Sequence, residues 1–235
     1  MKAIILFSLM LFPLLSLSQP TIYALKLDGL HQKDNQGAYD LIIKEAMASK
    51  KSYTVEVQVP AYAEKLFKKC TNCCISPANK SPEFYDYGDQ AVETSAMNVA
   101  KIYIYTAQGS ATINNLADLK GKKVGVRHGL PYGKSYDNAG LNSKAVDKIE
   151  KNIKKIDHGS IDAFIAYVPD ANIIFKSLGL KPYPHDKANP MAVHPDAMVC
   201  KNVDPQFIKT FNDGIKSLSQ SGRLKAILGD GYVEP

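Results

Sequence analysis

What most constrains this chain is an alternation of short β-prone runs with amphipathic helical stretches, set out twice along its length. TIYALKL at 21–27 is rich in β-formers and ends in the turn Asp28-Gly29, and GAYDLIIKEAMASK then places Tyr39, Ile42, Ile43 and Met47 at helical intervals. YTVEVQV at 53–59 alternates apolar and polar in strand fashion, AYAEKLFKKC reads as a short helix, and CCIS as a short buried strand. That order is β-α-β-α-β, which predicts an α/β fold with a mainly parallel sheet.

A second unit begins after the strand IYIYT at 102–106, and its most telling part runs from Leu116 to Gly179. The strand KVGV enters a polar turn carrying Arg127, His128 and Tyr132, with a helix predicted to open near Leu130. A further amphipathic helix covers about 149–158, and the strand AFIAY ends in Tyr167 with Asp170 beyond it. Ligands of open α/β sheets sit at such strand ends. The tail adds AMVC as a strand, and Phe207, Phe211, Ile215 and Leu218 at helical spacing before Ser221-Gly222. One strand and one helix are too little for a third domain, so the tail is expected to return to the first unit.

Residues 1–18 place one lysine ahead of an apolar run and close in small residues, with Ser16 and Ser18 where a signal peptidase reads. The run is about 15 residues where a bilayer span needs roughly 20, so we read a cleaved secretory signal with cleavage near Gln19. No cysteine follows it for lipid attachment, and a periplasmic location is expected. The formal charge of +6 is carried by widely spread lysines, KGKK at 120–123 being a short cluster. There is no arginine-rich tract and no finger spacing, which leaves nucleic-acid binding without support.

DLKGKKVGVRHG at 118–129, HGSIDAFIAYVPDA at 158–171 and FNDGIKSLSQSGRLKAILGDGY at 211–232 together resemble the extracellular solute-binding proteins of family 3, with the periplasmic-binding-protein-like type II fold. The resemblance implies two α/β lobes, each a mainly parallel sheet flanked by helices, joined by two crossing strands near Ala100 to Thr106 and Ala192 to Met198. It divides the chain into lobe 1 at 19–103 plus 195–235 and lobe 2 at 104–194. It further implies a monomer that closes on a small solute and presents it to the membrane permease of an ABC-type transporter, with no cofactor and no reaction. Two other uses of the fold stay open: a dehydratase-like enzyme, for which Asp28, Asp170 and His128 are the available acids and bases, and a ligand-sensing module for a membrane receptor.

The residues expected at the ligand are Asp28, Tyr62, Ser76, Asn79, Arg127, His128, Leu130, Tyr132, Tyr167 and Asp170. A helix starting behind His128 would present free N–H groups to an anion, with Arg127 or His128 adding charge; strand parity alone leaves open whether Arg127 faces the cleft. Gly133-Lys134-Ser135 approaches a phosphate loop, but the spacing fails at His128 and Gly129. Amino-acid-binding members of the family carry an arginine after the third strand, where this chain reads Ser76 to Ser81 without one. They also carry an acid where this chain has Tyr167. Tyr62, Tyr85, Tyr87, Tyr132 and Tyr167 gather instead at predicted cleft positions, which suits a flat, aromatic or anionic solute.

Cys70, Cys73, Cys74 and Cys200 are an even number in an exported chain, which favours disulfides. The resemblance lays the strand of Cys200 beside that of Cys73 and Cys74, so one bridge from Cys200 to Cys70, Cys73 or Cys74 is implied. His185 and His194 are too far apart in sequence to complete a zinc site with the C-x-x-C-C run, and no metal is expected. His31 and His158 read as loop and helix-end residues with surface roles.

Overall fold

Nine strands form one curled mixed sheet whose order is β2-β1-β3-β9-β5-β8-β6-β7, with the two-residue β4 paired to β9. The computed structural model describes residues 19–48 and 52–235; the expected signal segment lies outside them. The first lobe holds β1 (Thr21–Leu25), β2 (Thr54–Gln58), β3 (Cys73–Ala78) and β4 (Val92–Glu93), with helices α1 (Ala38–Ala46) and α2 (Pro60–Lys69). The second holds β6 (Lys123–Arg127), β7 (Asn142–Val146) and β8 (Ala163–Val168), with α3 (Lys134–Asn138), α4 (Ile149–Asp157) and α5 (Asp170–Ser177). Within each lobe these strands pair in parallel, β1 with β2 and β3, and β6 with β7 and β8.

Two long antiparallel strands join the lobes, β5 (Asn98–Thr106) and β9 (Ala192–Lys201). The start of β9 pairs with β5, while its end pairs with β3, Cys74 lying opposite Cys200. The tail then forms α6 (Pro205–Gln220) and α7 (Arg223–Leu228). Phe207, Phe211, Ile215 and Leu224 from these helices enter the same core as Ile22, Tyr39, Ile43 and Phe67, so the tail completes the first lobe. Contact between α1 and α6 is backbone-close, because a Cβ on Gly214 would lie 2.3 Å from the carbonyl oxygen of Ala46. The second lobe buries Ile149, Ile153, Ile156, Phe164 and Phe175 on one face of its sheet and Ile104, Leu119, Val124 and Ile165 on the other.

The structure corrects two readings and adds a strand and a second disulfide. The helix expected near Leu130 starts at Lys134, since Gly133, at φ 95°, holds a conformation that ends the preceding turn. The strand β7 was not legible because its residues are almost all exposed and show no apolar alternation. His31 is fully buried rather than a surface loop residue. The expected bridge from Cys200 is made to Cys74, and a second bridge joins Cys70 to Cys73.

Candidate functional site

The ends of β1, β3 and β8, the crossing strands and the turn after β6 meet in a narrow crevice between the lobes. Its cavity volume is about 20 Å³, so the two walls nearly meet. Leu25, Leu27, Leu30, Pro77, Ala100, Leu130, Pro131 and Pro169 give it carbon walls, and Tyr85, Tyr167, Asp170, His194 and Asp196 supply its polar atoms. Apolar walls with a few convergent polar groups are the usual lining of a small-molecule site.

Its polar end is a chain of hydrogen bonds on the hinge. His194 and Asp196 stand two apart on β9 and so share a face. His194 Nδ1 lies 2.8 Å from Asp196 Oδ1, and its Nε2 is 3.1 Å from the hydroxyl of Tyr85. The hydroxyl of Tyr39 donates to the other oxygen of Asp196. The rings of Tyr85 and Tyr167 each stand edge-on to that of His194, with centroids 5.6 and 5.7 Å away. Burial raises the hydroxyl pKa of Tyr85 and Tyr167 well above the ordinary tyrosine range, so both stay neutral donors.

Arg127 faces inward, 6% exposed, and is held on three sides. Its guanidinium lies 3.3 Å from Asp170 Oδ2, donates to the carbonyl of Asp147 at 3.3 Å, and reaches across to the carbonyl of Lys26 in the first lobe at 2.8 Å. Burial pushes the Asp170 carboxyl up to about 7, outweighing the opposing pull of Arg127. The folded chain therefore holds that proton above the pH at which the unfolded chain, near the usual pKa of about 3.9, releases it. Stability from this group is present below about pH 4 and falls as pH rises towards 7, by a few kcal/mol. Asp170→Asn removes this slope: relative to wild type, the variant gains stability between pH 4 and 7, read from urea midpoints across that range.

The lobes touch at further points. The backbone N–H of Lys134 donates to the carbonyl of Glu83 at 2.9 Å, and that of Ser135 to the Glu83 carboxylate at 3.1 Å. The start of α3, expected to offer free N–H groups to an anion, is thus taken by a carboxylate of the other lobe. Gly129, at φ 77°, approaches α2 so closely that a Cβ would lie 2.6 Å from the backbone nitrogen of Ala61.

The ten expected site residues fall into three groups. Leu130, Tyr167 and Asp170 line the crevice. Asp28, Arg127 and His128 line a second pocket, together with Lys26, Asp147 and Lys148. The other four lie elsewhere. Ser76 is buried at 3.0 Å from His31 Nε2, whose Nδ1 lies 2.6 Å from Asp40. Asn79 donates to the carbonyl of Pro195 and accepts from the N–H of Ser81. Tyr132 is buried, its hydroxyl accepting from the N–H of Arg127. Tyr62 is 45% exposed. Of the other tyrosines, Tyr85 lines the crevice, whereas Tyr87 packs edge-on against Phe67 and donates to Glu64 at 2.5 Å. Sequence reasoning missed His194 and Asp196, although both lie in the stretch expected to cross between lobes and alternate onto one face.

Among the described residues no group of three or more His, Cys, Asp or Glu side chains could hold a metal ion, and no helix is long and apolar enough to cross a membrane. No protein-family model and no curated protein matches the chain. Solved structures match over nearly its whole length. The GluR0 ligand-binding core from Nostoc punctiforme, in complex with L-glutamate, superposes with a TM-score of 0.71 at 13% identity, covering 91% of this chain and 99% of that one. A histidine kinase sensor domain with similarity to periplasmic binding proteins gives 0.70 at 15%, covering 92% and 98%. A mutant of the arginine-binding protein ArgBP from T. maritima gives 0.65 at 14%, covering 90% and 94%. The chain thus has the two-lobed periplasmic-binding-protein-like fold.

Proposed function

We propose that the protein is a periplasmic solute-binding protein that captures a compact, largely apolar or aromatic solute in the crevice between its lobes. The observation that carries this reading is the crevice itself: carbon walls from both lobes, closed at one end by the Tyr85, His194 and Asp196 chain. A flat ring admitted as the lobes part would lie among Tyr85, Tyr167 and His194, and closure brings both walls against it. Such a ligand shifts the population towards closure because the open form offers it half the contacts. The lobes are assigned as 19–103 plus 195–235 and 104–194, moving as a hinge about β5 and β9.

Arg127 is already satisfied by Asp170, Lys26 and Asp147, so it does not supply an uncommitted charge to the crevice. The apolar part of the expected solute therefore fits this slot better than the anionic part. Delivery to an ABC-type permease and a non-catalytic role follow from the resemblance, and the matched structures include the substrate-binding protein of an amino acid ABC transporter and a mutant of the arginine-binding protein ArgBP. The histidine kinase sensor domain among the matches supports a second reading, in which the same closure signals to a receptor.

Native mass spectrometry of the chain purified without refolding tests the proposal. A bound small molecule is expected on the wild type and absent from Leu130→Trp, whose larger side chain fills the slot. A bare wild-type mass after exposure to a broad metabolite extract, or equal retention by the variant, would overturn it.

A further inference from the structure

Apart from the crevice, a second opening walled in part by Arg127 lies between the lobes. It has a cavity volume of about 270 Å³ and is lined by Lys26, Asp28, Val59, Pro60 and Ala61 of the first lobe and Arg127, His128, Asp147 and Lys148 of the second. Its geometry is set by Arg127, which bonds the carbonyls of Lys26 and Asp147 and so brings the backbones of both lysine-bearing segments to one guanidinium.

The charges here are unevenly spent. Arg127 is paired to Asp170, and Asp147 to Lys151 at 2.6 Å. Lys26, Lys148 and Asp28 make no side-chain hydrogen bond or ion pair within the described residues. Two uncommitted ammonium groups and one uncommitted carboxylate thus line one pocket, with an exposed His128 in its wall. The surroundings act in the same direction. Residues 104–194 carry 13 Lys and Arg against 8 Asp and Glu. Neither α2, whose start lines the pocket, nor α4, which begins just after Lys148, has a side-chain cap on its N-terminal N–H groups.

We propose that this pocket binds a small oxyanion, of the phosphate, sulfate or carboxylate class, which bridges Lys26 on the first lobe to Lys148 and His128 on the second. The anion holds the lobes together from the solvent side and does so independently of any solute in the crevice. A bridging oxyanion replaces two like charges at a closing interface by two charge-assisted contacts, which favours closure only when both lysines engage it. Asp28 opposes the anion and limits its affinity.

The test is a thermal and calorimetric titration of the full mature chain with sodium phosphate, against sodium chloride at matched ionic strength and pH. Phosphate is expected to raise the unfolding midpoint saturably, and chloride to leave it nearly unchanged. Lys148→Gln and Lys26→Gln should each weaken phosphate binding about tenfold, the loss of one charge-assisted contact of roughly 1.4 kcal/mol. Sodium acetate in a parallel titration separates a free inorganic ion from the carboxylate of an organic solute: saturation by both fits the oxyanion class, and saturation by acetate alone assigns the pocket to a carboxylate-bearing solute. Leu130→Trp should keep the full phosphate response even when it loses the crevice ligand. Equal midpoints in phosphate and chloride, or wild-type affinity in both lysine variants, would sink the proposal. So would loss of the phosphate response in Leu130→Trp alone, which would place the anion in the crevice.

Discussion

Arg127→Ala is expected to lower stability by about 2 kcal/mol at pH 5 and by 3–5 kcal/mol above pH 8, the cost of removing one partner of a buried pair. The dependence on pH follows from Asp170, whose carboxyl burial pushes up to about 7. Below that value it is neutral, and the variant loses only the guanidinium's bonds to the carbonyls of Lys26 and Asp147, with some packing. Above it the wild type holds a charged carboxylate against Arg127, whereas the variant must either bury that charge alone or keep the proton. Because Arg127 lowers the Asp170 pKa, its loss drives that pKa higher still, and the deficit grows by about 1.4 kcal/mol per pH unit until the variant's own value is reached. Binding should fall as well, since the bond to Lys26 links the two lobes in the closed form. Urea denaturation at pH 5 and pH 8.5 separates the outcomes. An equal deficit at both pH values would show that the pair with Asp170 contributes nothing.

Loss of the Cys74–Cys200 bridge is the second large effect. The bridge spans 126 residues, enclosing the end of the first lobe and all of the second. A closed loop of that size removes enough unfolded-chain entropy to contribute about 5 kcal/mol, compared with about 2 kcal/mol for the short Cys70–Cys73 loop. Cys74→Ala with Cys200→Ala should therefore lower the unfolding midpoint by about 10–20 °C, and Cys70→Ala with Cys73→Ala by clearly less. The reverse order would mean that the long bridge acts on the native state rather than through the unfolded chain. Function should follow stability here, because β9, which carries Cys200, also carries His194 and Asp196 to the crevice.

Most of the architecture was legible because burial imposes a period. Ile42, Ile43 and Tyr39 recur as a helix face because α1 lies on a sheet, and KVGV and AFIAY are continuous apolar runs because β6 and β8 are covered on both faces. The edge strand β7 escaped because four of its five residues are exposed; its backbone ladder to β6 holds it, and a ladder leaves no mark on side-chain choice. His31 escaped for the opposite reason. It sits among polar residues that look like a surface turn, yet Asp40, nine positions on, and Ser76, 45 positions away, fold around it and satisfy both ring nitrogens.

The candidate site divides along the same line. Sequence alone determined the residue types at the strand ends: a tyrosine at the end of β8, no arginine after β3, and an even set of cysteines suited to bridges. It could not say which face of β6 the other lobe covers, since a period of two offers both faces equally. Only the tertiary structure decided that Arg127 points inward, that Asp170 neutralises it, and that Glu83 fills the start of α3. Only the meeting of the lobes separated an apolar crevice from a charged pocket, because each is walled by residues more than a hundred positions apart and neither exists until both lobes have folded.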